Sequence, residues 1–230
     1  DSCTAVMLAP GEVPCYLLLS GIEVPRVIGK KGALIRELRQ ESGATIEILD
    51  RPPAVPEVLQ RNEQRVARIR GSDAAMHSAV VGLIRNAIGP EVMRDLDPAG
   101  QRENEVLVLI PTKSVSFLND PKILDGTDCT LHASPIEGMR RHRRVHVANS
   151  GTKDLQIVAW RIHALILHLA RSQVLTDQDF DLQDSAWDIA MEAFQRTRQS
   201  VASAANPSEV GGTQVPPRSQ SSAVSLEHPS

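Results

Sequence analysis

Aromatic side chains are scarce in this chain: one Tyr, two Trp and three Phe among 230 residues. Folds that read nucleic acid by stacking bases on an aromatic platform need more, which argues against an RRM or an OB-fold. Cysteine is scarce too. Cys3, Cys15 and Cys129 are odd in number and far apart, so they form neither a disulfide framework nor a zinc-ligand spacing. A reducing, intracellular compartment, nucleus or cytoplasm, is the expected home. No apolar run reaches the roughly 18 residues of a membrane span, so no membrane partner is expected. No secretory leader is visible, and Asp1 opens the chain in place of Met, as in an excised fragment. A strong charge of one sign is also missing. The net charge is −3, so any affinity for a polyanion must come from a local basic patch.

What the chain does have is apolar material, 41% of its residues, enough for one large domain or two small ones. The clearest block is 15–90. Cys15 to Leu19 reads as a strand and Val24 to Ile28 as one turn of helix. Ala33 to Ser42 reads as a second helix, with Leu34, Ile35 and Leu38 as its apolar residues and Gly43 as its C-cap. Thr45 to Leu49 is a strand by composition. Residues 50–64 hold Pro52, Pro53 and Pro56 and read as a loop. Arg65 to Arg70 is a weakly patterned strand. Ser72 then caps a helix with Met76, Ala79, Val80, Leu83, Ala87 and Ile88 on one face. The order is β-α-α-β-β-α.

Between the first two helices lies Gly29-Lys30-Lys31-Gly32. Glycines at both ends let the backbone approach phosphates in unusual conformations. Free amides at the start of the second helix favour an anion. Residues 24–40 carry Arg26, Lys30, Lys31, Arg36 and Arg39 against Glu37 alone, a local charge of +4. Two lysines between glycines at a helix start serve little packing purpose.

The run Val24-Pro25-Arg26-Val27-Ile28 before that loop, and Leu38 to Ile48 after it, resemble the type I KH domain, most closely those of the poly(C)-binding proteins. The resemblance implies an RNA-binding protein whose loop clamps about four nucleotides of single strand, with single-stranded DNA as a further partner. It implies an aliphatic groove of Val24, Ile28, Ile35, Ile46 and Ile48, with Arg39 and Arg65 donating to base edges. It also implies a preference for C-rich strands. Pro25 stands where family members often have Gly, and it removes one backbone donor. Read without the resemblance, each of these isoleucines alone is more often core than contact, and Arg39 is as well read as a solvated helix residue.

Residues 91–104 read as a linker. A second block, 105–171, loosely repeats the first. Val106 to Ile110, Thr130 to Ala133 and Arg143 to Ala148 are expected strands, and Lys153 to Arg171 an apolar helix. Its counterpart of the glycine loop is Asn119-Asp120-Pro121-Lys122. No glycine remains there, and Asp120 repels phosphate. This block reads as a degenerate KH-like domain, or else as an unrelated small α/β domain. Arg140 to Arg144 is a basic cluster expected in its variable loop, either solvated or touching phosphate without reading bases. His142 and His146 there assign no metal. Asp177, Asp179, Asp181 and Asp184 form an acidic, solvated lead-in to a last helix in 172–203, with Trp187, Met191 and Phe194 on one face. Residues 204–230 are too poor in apolar groups to order themselves.

The fold class expected is therefore α+β: tandem type I KH domains, the second degenerate, then a C-terminal helix and a disordered tail. The first strands of both blocks are apolar on both faces, which calls for burial on both. Pairing Cys15 to Leu19 with Val106 to Ile110 satisfies that need. The leading function is single-stranded RNA binding without catalysis or cofactor. The alternative is a structural or adaptor subunit of a ribonucleoprotein, with the degenerate block and the last helix as protein-binding surfaces. An RNA-processing enzyme is a third possibility that no nucleophile–base pair, phosphate-transfer motif or paired carboxylate supports.

Overall fold

The computed structural model describes residues 13–50, 55–89, 104–149 and 151–183. The chain divides into two compact units, 1–184 and 185–230, and everything described belongs to the first. The expected linker (save Asn104, which begins a strand), the last helix with Trp187, Met191 and Phe194, and the tail lie outside the described residues.

In the first half, β1 (Cys15–Leu19), α1 (Glu23–Ile28), α2 (Ala33–Ser42), β2 (Thr45–Leu49), β3 (Arg65–Arg70) and α4 (Asp73–Ile88) follow the expected order. Local chemistry explains several of the boundaries. The Ser72 side chain accepts from Ala75 N and starts α4. Gly43, at φ 70°, ends α2 in the left-handed conformation that glycine tolerates best. The segment after β2 differs from expectation. It contains a short helix, α3 (Glu57–Arg61), because Val55 and Leu59 bury completely and need a backbone that turns inward. Proline content marked the bend and hid that anchor.

The second half comprises β4 (Asn104–Pro111), β5 (Thr130–Ile136), β6 (Met139–Asn149) and α5 (Thr152–Arg171). Between β4 and β5 run only two 3-10 segments, Thr112–Asn119 and Pro121–Ile123. The expected variable loop at Arg140 to Arg144 is strand. A turn at Gly138, φ 74°, reverses the chain early, and β6 then buries Val145 and Val147 on one face and His142 on the other.

All six strands form one antiparallel sheet of order β2-β3-β1-β4-β6-β5. The halves meet at β1 and β4, where Tyr16 faces Leu109, Leu17 faces Val108 and Leu18 faces Leu107. Outward from that junction each half repeats the same spatial order, first strand, third strand, second strand, followed by a long helix. Every residue of β1 is buried, as strands apolar on both faces require. On one side, Leu83, Ile84 and Ala87 of α4 close over Leu17, Leu19 and Val106. On the other, the Tyr16 hydroxyl donates to Phe180 O at 2.8 Å.

That second contact comes from the acidic stretch after α5, which the sequence placed in solvent. It forms a 3-10 turn, Asp177–Phe180, closed by a reciprocal Thr176–Asp179 cap. Leu175, Phe180 and Leu182 are buried. Asp179 is 7% exposed and pairs with Lys113 Nζ at 2.9 Å. Burial opposes its ionisation, but hydrogen bonds from Thr176 and Lys113 hold its carboxyl below the usual range. The stretch is a strap that ties β1 of the first half to Lys113 and Arg141 of the second, Arg141 donating to Gln178 O at 3.0 Å.

Candidate nucleic-acid interface

The loop between α1 and α2 is shaped by its two glycines. Gly29 sits at φ 71°, ψ 178°, a conformation that is essentially glycine's alone. A Cβ there would also stand 2.6 Å from the Leu34 side chain. Gly32 is left-handed at φ 76°, ψ 22°, and Lys31 between them is left-handed too, at φ 53°. Gly29 N donates to Pro25 O (2.8 Å) and Gly32 N to Gly29 O (3.1 Å). The result is a tight protrusion with Lys30 and Lys31 exposed. Lys31 O points back and accepts from Arg36 Nη1 at 2.8 Å. The loop leads directly into the positive end of α2.

Behind the loop, α2 lies near β2, an edge strand. Arg39 bridges them, donating from Nε to Ile46 O at 2.8 Å. Its two terminal nitrogens have no partner among the described residues, so the planar fork is available beside the edge. Val24, Ile28 and Ile48 are half-buried and supply accessible apolar surface, whereas Ile46 is fully buried and Ile35 is 6% exposed. Those two face the core, where Ile46 lies opposite Ile69.

The remaining expected residues are spread. Arg26 turns away from the loop toward the end of α4, donating to Ala87 O at 3.3 Å. Arg65 begins β3 opposite Leu19 and donates to its neighbour's carbonyl, Gln64 O, at 3.1 Å. The structure thus brings together Gly29 to Gly32, Arg36, Arg39 and the β2 edge, and leaves Arg26 at a helix end.

Two participants went unrecognised in the sequence. Leu34 reads as part of the apolar face of α2, yet it is 40% exposed and packs on Gly29. Glu47 pairs with Arg68 across β2 and β3 at 2.8 Å. The Arg68 hydrogen bond lowers the Glu47 carboxyl below its usual range. An alternation of Glu and Arg on facing strands is the only sequence signal for that pair, and it needs the register to be read.

The second half holds no comparable loop. Asp120 caps its own turn, accepting from Lys122 N at 2.9 Å. The carbonyls that follow, Ile123 O and Asp125 O, are taken by Arg161 of α5. Among the described residues no cluster of three metal-ligating side chains occurs, and no helix is long and apolar enough to cross a membrane.

No curated protein matches this chain. Among solved structures, a protein of unknown function from Aeropyrum pernix aligns over 86% of this chain and 100% of its own. It shares 13% identity at a TM-score of 0.25, a likeness too slight to bear on the fold. The family model described as the KH domain matches residues 16–84. That span runs from β1 into α4 and has the glycine loop within it, so residues 16–84 are similar to a KH domain.

Proposed function

We propose that the chain is a single-stranded RNA-binding protein that grips about four nucleotides between the Gly29–Gly32 loop and the edge of β2. A KH domain implies binding of RNA or another single-stranded nucleic acid. The observation that carries the finer reading is the loop itself: two exposed lysines on a tight backbone that requires glycine at 29 and favours it at 32. Phosphates would lie along the loop amides and Lys30 and Lys31. Bases would lie over Val24, Ile28 and Ile48, within reach of the Arg39 fork. The small aliphatic floor favours pyrimidines, so C-rich strands are the preferred ligands, and Arg39→Ala should flatten that preference more than it lowers affinity. On this reading the protein performs no catalysis and works inside the cell.

The second half is read as a degenerate KH domain, supported by its matching strand order and its missing clamp. That absence favours a second role, as an adaptor surface within a ribonucleoprotein.

Titration of a fluorescent C-rich oligonucleotide tests the primary reading. Lys30→Asp with Lys31→Asp reverses two charges beside the phosphates and should lower affinity by at least about a hundredfold. Circular dichroism should stay unchanged, since both side chains are exposed. Equal affinity of parent and variant would remove the proposal.

A further inference from the structure

The sheet ends in two edges that are guarded differently. At β2, Arg39 covers Ile46 O, and Glu47 places a charge on the strand. Covered backbone and charged side chains are the usual guards against addition of a foreign strand. At the other end β5 has neither. Thr130–Ile136 holds no Lys, Arg, Asp or Glu. Among the described residues, its backbone makes no hydrogen bond except to β6. Pro135 lacks an N–H and sits at a shift of register, so the open stretch is Thr130 to Ser134.

A cation, Arg144, stands beside that stretch. Across β5 and β6, Ser134 faces Arg144 and His132 faces His146. Arg144 Nε lies 3.5 Å from Ser134 Oγ, so its guanidinium extends over a small residue toward the edge. No carboxylate pairs with it among the described residues. His146 has one, Glu105. A strand added to β5 would run about 4.8 Å further out, with alternate side chains in line with His132 and Ser134. A carboxylate there reaches Arg144 across Ser134. A cation there meets like charge.

We propose that the free edge of β5, from Thr130 to Ser134, is a docking site for an extended acidic segment of a protein partner. The segment adds a seventh strand and pairs a carboxylate with Arg144. This inference is independent of nucleic-acid binding by the first half. A nucleic acid suits the site less well, because the edge offers a ladder of alternating donors and acceptors that only another backbone matches.

The probe is a fluorescent, end-blocked peptide of alternating valine and glutamate, set against its valine–lysine counterpart, with the full chain. The glutamate peptide should bind in the micromolar range and weaken with salt. Hydrogen exchange should slow at residues 130–134. Arg144→Glu should cost at least about tenfold and admit the lysine peptide, with Arg144→Gln as the milder variant should the reversal disturb folding. Failure to bind at millimolar peptide overturns the proposal, as does binding indifferent to Arg144 or protection elsewhere. Displacement of the peptide by an oligonucleotide in the Lys30→Asp, Lys31→Asp variant overturns it in favour of a nucleic-acid surface.

Discussion

The two halves share a strand order and a long closing helix, yet they spend the turn after their first strand in opposite ways. The first half places Gly29 in a conformation closed to other residues, Gly32 in the left-handed region, and two lysines outside. The second half fills the same stretch with 3-10 turns, caps it with Asp120 and satisfies its carbonyls from Arg161. The second turn thus presents the Asp120 carboxylate where the first exposes Lys30 and Lys31, and a carboxylate repels a phosphate. The second half is turned to structure: its strap ties to β1 and its strand β4 continues the sheet that the first half begins.

The junction is the place to break this comparison most severely. Leu18 is 2% exposed and faces Leu107 across β1 and β4. Leu18→Asp buries a charge without a partner and should cost at least about 3 kcal/mol. The loss should be felt in both halves. Trp160 of α5 packs against His77 of α4 with ring centroids 4.9 Å apart, so in a Trp187→Phe background its fluorescence reports the interface. The Trp160 transition should move to lower urea by the full amount. A Trp160 transition unmoved by Leu18→Asp would show that the halves fold separately.

Acid should separate the halves by a different route. His142 and His163 both belong to the second half, and the Nε2 atom of each is buried without a partner. Burial pushes each down to about 4 from 6.5, with Asp179 and Asp181 opposing this at His142 and Asp73 opposing it at His163. The folded state therefore holds fewer protons than the unfolded state between those values. Stability is complete above pH 6.5, falls as pH drops toward 4, and changes no further from these groups below that. Each contributes on the order of 3 kcal/mol at most. Urea melts across this range should show the slope, and His163→Leu should remove its share. A slope unchanged by His163→Leu would count against this assignment.

The smallest effect sharpens the comparison of the two turns. Gly29→Ala and Gly126→Ala both force alanine to positive φ, 71° and 67°, at a cost of about 1 kcal/mol or more, larger at Gly29 where ψ is 178°. Only at Gly29 does the new Cβ collide with a neighbour, the Leu34 side chain at 2.6 Å; at Gly126 nothing lies within 4 Å. Gly29→Ala should therefore be the more destabilising by about a further 1 kcal/mol, and oligonucleotide affinity should fall with it. Gly126→Ala should leave affinity untouched. Equal melting shifts for the two would mean that Leu34 moves aside freely.

Local features were read well from local chemistry. Ala33–Ser42, Thr45–Leu49 and Arg65–Arg70 appear where glycine, proline and apolar spacing placed them, because a cap or a breaker acts within a turn of itself. The glycine loop was legible for the same reason, since its shape depends on residues 29 to 34 alone. Even the pairing of β1 with β4 had a sequence cause, two strands without a polar face. What composition misjudged were segments whose partners lie far along the chain. The proline-rich stretch hid the anchors Val55 and Leu59, and the acidic stretch hid Phe180 and its tie to Tyr16, 164 residues away.

The amino-acid order by itself thus determined the elements of the first half, the conformation of its loop and the charge that loop carries. Each follows from steric and hydrogen-bond preferences of neighbouring residues. Only the tertiary structure decided which isoleucines are fully buried, that Arg140 to Arg144 belong to a strand, and which edge of the sheet is left uncovered among the described residues. Those outcomes depend on which surfaces meet, and a residue such as Ile46 or Ile48 carries no mark of that. Identical side chains two positions apart on β2 differ in burial: Ile46 sits beside Ile69 and is fully buried, Ile48 beside the smaller Ala67 and is half-buried.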